Sequence, residues 1–207
     1  KDALRRVDDL LKQGYTWIVD ADLKSYFDTI PQARLIERVE EKVSDGRVIG
    51  LVEQYLQQQV MDSGKSWTPE AGTPQGAVLS PLLSNLYLDP LDQAMAAAGI
   101  EMVRYADDFV ILSRSQREAE HALQQVQQWT AEAGLVLHPV KTRIVDATQR
   151  GGFDFLGYHF ERGMKWPREK SLRKFRDTIR AKTRRTNGQS LKVTIQDLNR
   201  TVKGWFG

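Results

Sequence analysis

The chain has 207 residues, which is enough for one large domain or for one domain and part of a second. Hydrophobic residues make up 41% of it, so it can form a substantial core, yet no apolar run approaches the ~20 residues of a membrane span. The absence of cysteine excludes disulfides, thiolate metal ligands and cysteine nucleophiles, and without a recognisable secretory signal the expected location is cytoplasmic.

Charge is distributed unevenly along the chain. Residues 161–207 hold 14 Lys and Arg against 4 Asp and Glu, whereas residues 1–160 hold 16 against 23, and the whole chain has a net charge of +3. A basic tail on an acidic body indicates a polyanionic partner, although a solvated helix face would have the same composition.

The first elements alternate between helix and strand. Residues 2–12 are predicted to be helical, and residues 16–23 are predicted to be a buried strand because β-branched and aromatic side chains are concentrated there. Helices are predicted at 32–43 and 47–60, and the Gly- and Pro-containing residues 61–76 indicate a hairpin or a loop.

The middle of the chain carries a long helix and an acidic hairpin. From Ala77 onward the spacing of apolar residues predicts a helix, which the interior Pro90 should kink or split. A hairpin with Asp107 and Asp108 at its tip follows, and residues 116–133 are predicted to form a helix that Gly134 ends.

The last part of the chain begins with short strands. Two are predicted within residues 135–145 and one at 153–160, and after Arg168 the pattern is a helix, a turn at Asn187-Gly188 and a second helix. Because strands and helices alternate without strict βαβ periodicity, the sequence predicts an α+β fold.

Asp107 and Asp108 lie between two apolar strands. Adjacent carboxylates with apolar flanks are costly unless a cation shares their charge. Oxygen ligands without nearby histidine pairs favour Mg²⁺ over zinc. The alternative is a tight turn that uses two aspartates only because aspartate is a good turn former.

Asp22 lies at the end of the predicted strand at 16–23, and strand alternation places Asp20 on the same face. Beside the acidic hairpin, Asp22 would complete a cluster able to hold two metal ions, of the kind that activate a hydroxyl group and stabilise a transferred phosphoryl group. Alone, a strand-end aspartate is usually a cap or part of a turn.

These features together resemble a known family. The chain is similar to the palm of reverse transcriptases in five blocks that stand in the family's order: ADLKSYFDTI at 21–30, GTPQGAVLSPLLSNLYLDPLD at 72–92, RYADDFVIL at 104–112, LVLHPVKTRIV at 135–145 and FDFLGYHF at 153–160. The amino-acid sequences of the second and fifth blocks resemble group II intron reverse transcriptases more than retroviral enzymes.

The resemblance implies a domain organisation. Residues 1–160 would form a polymerase palm, an antiparallel sheet packed on helices, with partial fingers at about 31–75. Residues 161–207 would form the helical, basic start of the thumb, also called the maturase or X domain.

The resemblance also implies a metal site. Asp22, Asp107 and Asp108 match the catalytic aspartates, and with the backbone carbonyl of Leu23 they would bind two Mg²⁺ ions, for which Mn²⁺ could substitute. Asp20 has no counterpart in the family and is expected to interact with the metal ligands rather than with the metal ions.

Three further positions match the nucleotide site. Phe27 corresponds to an aromatic residue that crowds the sugar 2′ position and would reject ribonucleotides. Gln75 and Gly76 correspond to the loop behind the incoming nucleotide and the templating base, where glycine permits close backbone approach. Lys141 corresponds to a lysine that could protonate the departing pyrophosphate. From the residues alone, Phe27 could equally be a core aromatic and Lys141 a surface charge.

Other residues are predicted to bind the primer strand and the RNA. The block at 153–160 matches the element that grips the primer strand, through Phe155, Leu156 and Gly157, which are otherwise strand core. In the tail, a stripe of Leu172, Phe175 and Ile179 would pack on the palm. The surrounding cations are expected to bind RNA: Arg173, Lys174, Arg176, Arg180, Lys182, Arg184 and Arg185. A membrane-surface or calmodulin-type helix has the same pattern.

The predicted function is RNA-directed DNA polymerisation on an RNA template, from a DNA or RNA primer and dNTPs, with a maturase role on an intron RNA and no membrane partner. The alternatives are a non-enzymatic RNA-binding maturase scaffold, a CRISPR-associated or retron-type reverse transcriptase, and a viral-type RNA polymerase, against which Phe27 argues. Because 21 residues precede Asp22 and the chain stops at GWFG, we expect the isolated chain to extend primers weakly or not at all.

Overall fold

The computed structural model describes residues 1–58, 60–62, 65–67, 71–74, 78–186 and 188–206. Within them the helices are α1 (Asp2–Lys12), α2 (Tyr26–Thr29), α3 (Gln32–Glu40), α4 (Gly46–Leu56), α5 (Ser80–Ala97), α6 (Gln116–Glu132), α7 (Glu169–Lys182) and α8 (Leu191–Phe206). The strands are β1 (Trp17–Asp22), β2 (Val60–Asp62), β3 (Lys65–Trp67), β4 (Glu101–Tyr105), β5 (Asp108–Ser113), β6 (Arg143–Asp146), β7 (Phe153–Phe155), β8 (Tyr158–Glu161) and β9 (Met164–Pro167).

A four-stranded antiparallel sheet in the order β4-β5-β1-β6 forms the centre of the fold. Strand β5 is central, and its residues 109–113 are buried, which is why this segment is a continuous apolar run. A second antiparallel sheet, β7-β8-β9, and the β2-β3 hairpin complete the described strands.

The central sheet is covered on both faces. One face presents Val19 and Ile111 to a core that includes helices α3 to α6. The opposite face presents Ile18 and Val110 to α1 and to the β7-β8 hairpin, in a second core that includes Phe155. Because side chains alternate along a strand, Asp20 and Asp22 lie on the same face as Ile18. The aspartates therefore extend the face that β7 and β8 cover.

Helix α5 is not split at Pro90, although its sequence predicts a kink or a split there. It runs from Ser80 to Ala97 without interruption. Leu88 and Leu91 on either side of the proline are fully buried. Tertiary packing of this apolar face therefore outweighs the helix hydrogen bond that proline removes.

Several predicted boundaries were wrong. Residues 153–160 form two strands rather than one, because positive φ angles at Leu156 (47°) and Gly157 (83°) reverse the chain between β7 and β8. The first strand expected within 135–145 is reduced to a single bridge between Leu23 and Leu137, and only the second, β6, forms.

Helix ends also differ from the prediction. Helices α3 and α4 stop at Glu40 and Leu56, before the expected residues 43 and 60, and the short α2 was not predicted. No helix in the described part of the chain is long and apolar enough to cross a membrane.

Gly72 fixes residues 71–74 against α2. Its amide donates to the carbonyl of Ile30 at 2.7 Å, and the amide of Thr73 donates to the carbonyl of Phe27 at 2.7 Å. A Cβ atom on Gly72 would lie 2.5 Å from the Phe27 carbonyl oxygen, and the φ angle of Gly72 is +84°. Glycine is therefore required here both by the backbone angle and by the close approach.

Substitution of Gly72 by alanine tests this requirement. Gly14 is a matched control, because its φ angle is +89° and a Cβ atom added to it would meet nothing within 4 Å. We expect Gly14→Ala to lower the free energy of unfolding by about 1 kcal/mol through backbone strain, and Gly72→Ala to lower it by about 1–3 kcal/mol more through the clash. Equal losses in chemical denaturation would show that the close approach does not matter.

Candidate active site

Asp22 and Asp108 are cross-strand neighbours on adjacent strands of the central sheet. The antiparallel register of β1 and β5 makes them direct partners, and β4 and β5 are joined by a tight turn in which Tyr105 pairs with Asp108. Asp107 lies in that turn, after Ala106, whose φ angle is +56°. The structure thus brings the hairpin tip, which carries Asp107 and Asp108, to the end of β1 that carries Asp22.

A loop after α6 approaches the same strand end. The amide of Lys24 donates to the carbonyl of Val136 at 2.8 Å, and the amide of His138 donates to the carbonyl of Asp22 at 2.7 Å. This docking brings Lys141 to the site, where its Nζ lies 2.8 Å from Oδ2 of Asp22. Both side chains are largely exposed, so the ion pair contributes little to stability but sets the local charge.

Asp20 is paired in a similar way. Nε of Arg143 lies 3.2 Å from Oδ2 of Asp20, and the two residues are register partners on β6 and β1. Two of the acidic side chains on this face thus each have a basic partner from the segment 141–143.

Asp20, Asp22 and Asp108, but not Asp107, line a cleft of about 710 Å³, called here the active-site cleft. Its walls combine both charges with apolar surface. They are formed by Asp20, Ala21, Asp22, Asp108, Val140, Lys141, Arg143, Asp154, Phe155, Leu156, Arg168 and Lys170. A cleft with acidic and basic walls can accept a cation and an anionic ligand side by side.

The crowding of carboxylates changes their titration. The pKa of Asp108 is raised, first because surrounding protein displaces water from the carboxyl group, and then because of the charges of Asp20, Asp107 and Asp22. The backbone amide of Leu156 donates to Asp108 and opposes this shift.

The pKa of Asp20 is also raised. Desolvation is the largest cause, and the charges of Asp154 and Asp22 add to it, while the hydrogen bond from Arg143 opposes it. Two carboxylates on one face therefore resist ionisation, which is the electrostatic condition that a bound cation would relieve.

The donor set suits a hard divalent cation. Asp22, Asp107 and Asp108 offer only carboxylate oxygens, the ligands that such cations prefer. As placed, no three acidic or histidine side chains of the described residues form a group that could hold a metal ion. Asp22 is engaged by Lys141, so an entering cation would compete with that ammonium group for the carboxylate.

The predicted nucleotide-site residues are only partly described. Phe27 is half-buried in α2, with its ring centroid 5.5 Å from that of Tyr26, and Leu23 is buried beside the site. Gln75 and Gly76 lie outside the described residues. The closest described part of their segment is the one that Gly72 and Thr73 fix against α2.

The predicted primer-grip residues adjoin the aspartates. Phe155 is buried, whereas Leu156 directs its amide to Asp108, so this turn contacts the acidic cluster itself. The carbonyl of Gly157 accepts from the amide of Arg168 at 3.0 Å and from Oγ of Ser171 at 3.2 Å. Helix α7 is therefore attached at its start to the turn that borders the site.

The tail forms a pair of helices. The rings of Phe175 and Trp205 stack with centroids 4.5 Å apart, and Lys182 pairs with Asp197 at 2.7 Å. The apolar stripe of α7, which was predicted to pack on the palm, thus contacts α8 through Phe175. The other predicted RNA-binding cations are exposed: Arg173, Lys174, Arg176, Arg180, Arg184 and Arg185.

Four charged residues of the cleft were not predicted from the sequence. They are Arg143, Asp154, Arg168 and Lys170. No local pattern distinguishes them from surface charges, because each reaches the cleft only through long-range strand pairing or through the attachment of α7.

Substitution of Asp108 should reveal its raised pKa. The folded protein holds the Asp108 proton more tightly than the unfolded chain does, so wild type loses unfolding free energy as pH rises from about 3.8 through the raised pKa. We expect Asp108→Asn to be more stable than wild type at pH 7 in metal-free buffer, and the difference to vanish below pH 3.8.

Asp146 provides a control of opposite sign. Hydrogen bonds from Thr148 lower the pKa of Asp146, so its ionised form stabilises the fold above the ordinary aspartate pKa, and this stabilisation is lost as pH falls through the lowered value. Asp146→Asn should therefore be less stable than wild type at pH 7. Denaturation curves in which both variants shift in the same direction would contradict this assignment of charges.

Comparison with known families agrees with the geometry. A family model described as "Reverse transcriptase (RNA-dependent DNA polymerase)" matches residues 3–160. A second, described as "Group II intron, maturase-specific domain", matches residues 172–207.

Curated relatives match parts of the chain. Protein YkfC of Escherichia coli is 28% identical over an alignment covering 70% of this chain and 47% of that protein. The group II intron-encoded protein LtrA of Lactococcus lactis is 36% identical, covering 39% of this chain and 13% of that protein. The chain thus spans less than half the length of these curated relatives.

The fold is also known from solved structures. A telomerase from Candida tropicalis, solved with a fragment of telomeric RNA, matches 97% of this chain and 40% of its own with a TM-score of 0.62 at 14% identity, which confirms the predicted α+β palm architecture. Since the family model spans most of the sequence, and the paired aspartates stand within that span, the chain belongs to the reverse transcriptase (RNA-dependent DNA polymerase) family.

Proposed function

We propose that the full-length protein carrying this chain is a group II intron-type reverse transcriptase, which extends a DNA or RNA primer on an RNA template with dNTPs. The observation that carries the proposal is the register of β1 and β5, which sets Asp22 opposite Asp108 with Asp107 at the adjoining turn. The match to the reverse transcriptase family supports RNA as the template. The similarity to an intron-encoded protein supports the group II intron type.

The aspartates are proposed to hold two Mg²⁺ ions, since the family uses divalent metal ions and the site offers only carboxylate oxygens. Bound ions would polarise the primer 3′-hydroxyl and stabilise charge on the transferred phosphoryl group. Lys141, whose Nζ lies 2.8 Å from Oδ2 of Asp22, is proposed to give its proton to the departing pyrophosphate.

A maturase role is proposed for the tail. The exposed cations of α7 form a basic surface that can follow a phosphate backbone. The match of residues 172–207 to the maturase-specific domain supports an intron RNA as the partner. We place the protein in the cytoplasm and assign it no membrane partner.

Isosteric replacement of the aspartates tests the polymerase proposal. In the full-length protein, Asp22→Asn and Asp107→Asn should each lower primer extension by about 10²–10⁴-fold, because metal ions contribute several kcal/mol to such reactions. Binding of template–primer, measured by filter retention, should change less than about threefold, since phosphate contacts dominate affinity.

Asp154→Asn is the matched control for these variants. It removes a carboxylate from the same cleft, but one that is paired with His159 at 2.7 Å rather than with the strand-end aspartates. It should retain most of the extension activity. A wild-type protein that binds RNA but never extends a primer would instead support the alternative of a non-enzymatic maturase scaffold.

Phe27 is proposed to exclude ribonucleotides. Phe27→Val should raise the efficiency of rNTP relative to dNTP incorporation by about 10–100-fold, the range that hydrophobic bulk usually controls. Phe27→Tyr keeps the ring and should keep the selectivity. Single-nucleotide incorporation with matched rNTP and dNTP gives the ratio, and an unchanged ratio in Phe27→Val would assign Phe27 to the core alone.

A further inference from the structure

Arg104 is the last residue but one of β4, just before the turn that carries Asp107. Its side chain is only 12% exposed. Nε donates to Oδ1 of Asp92 at 2.8 Å and Nη2 donates to Oδ2 of the same residue. Nη1 donates to Oδ1 of Asn85 at 2.9 Å and to the backbone carbonyl of Ala106 at 2.7 Å. All three nitrogens of the guanidinium group are therefore engaged.

The acceptors on α5 form a rigid support. Asp92 and Asn85 are seven residues apart, which is two helical turns, so they lie on one side of α5. Leu88 and Leu91, between them in sequence, are fully buried and fix the helix against the core. The guanidinium group is therefore held by a helix whose position relative to the sheet is set by packing.

The third acceptor belongs to the turn itself. Ala106 has a φ angle of +56°, which is unfavourable for a residue with a Cβ atom and is usually taken by glycine in two-residue hairpin turns. Its carbonyl belongs to the planar peptide unit that includes the amide of Asp107. Holding this carbonyl therefore sets the direction in which the chain enters Asp107.

Arginine suits this position for a chemical reason. Its planar fork can bind the carboxylate of Asp92 through two nitrogens and still donate to two more acceptors, whereas the ammonium group of lysine is a point charge without that fork. Arg104 is not among the residues that line the active-site cleft, so it does not reach a ligand there directly.

We propose that Arg104 is a positioning residue for nucleotidyl transfer: it links α5 to the carbonyl of Ala106 and thereby sets the orientation of Asp107 and Asp108. The inference rests on the proposed polymerase function. It extends the active site to Asp92 and Asn85, neither of which has a role in the metal cluster.

The test compares Arg104→Lys with wild type in the full-length protein, under single-turnover conditions. We expect the maximal rate of nucleotide addition to fall by about 10–100-fold, because small displacements of a reacting group have effects of that size. The apparent dissociation constant for dNTP and the affinity for template–primer should change less than about threefold. The Mg²⁺ concentration that gives half-maximal rate should rise.

Arg6→Lys is the matched control. Arg6 pairs at 2.6 Å with Glu101, which lies at the end of β4 opposite to the turn. It should keep the wild-type rate and Mg²⁺ dependence. Asp92→Asn is a second variant, which keeps the size of the acceptor but removes the charged partner of Arg104, and it should resemble Arg104→Lys.

The outcomes separate the two proposals. If wild type does not extend primers, both the polymerase proposal and this inference are overturned. If wild type extends and Arg104→Lys matches Arg6→Lys in rate, only the role of Arg104 is wrong. If the rates of Arg104→Lys and Asp92→Asn fall only in proportion to the folded fraction, measured by thermal unfolding, the arginine is merely structural and the inference also fails.

Discussion

The antiparallel pairing of β1 with β5 is the constraint on which the site depends. Side chains alternate along a strand, so a slip of one residue would move Asp22 to the opposite face of the sheet, away from Asp108. The register is fixed by burial, because Ile18 and Val110 belong to one core and Val19 to the other. Two apolar cores thus determine where the carboxylates lie, although no carboxylate belongs to either core.

This placement has an electrostatic consequence. Asp108 and Asp20 both resist ionisation because they are partly withdrawn from water among other acids. Arg143, the first residue of β6, offsets part of this cost for Asp20, and Lys141, from the segment before β6, pairs with Asp22 at the same strand end. Because the carboxylate charges of the site are neither fully neutralised by basic side chains nor fully hydrated, the site favours entry of a divalent cation. Its basic wall favours the phosphate groups that accompany such a cation.

Two backbone segments with left-handed residues border the acidic cluster. The turn through Ala106 carries Asp107, and the turn through Leu156 directs an amide to Asp108. Such conformations are unfavourable on their own and persist where surrounding contacts hold them. The second turn also receives the start of α7 through the carbonyl of Gly157. The tail helices are therefore attached at a point adjacent to the chemistry.

The sequence alone determined the α+β class, the hairpin with Asp107 and Asp108, and the common face of Asp20 and Asp22, because these follow from local period and turn chemistry. Only the tertiary structure decided that α5 continues through Pro90 and that residues 153–160 form two strands, since packing and positive φ angles act there. It also decided the partners of Asp20 and Arg104. Arg143 is 123 positions from Asp20, and no local pattern encodes a contact made at that distance along the chain.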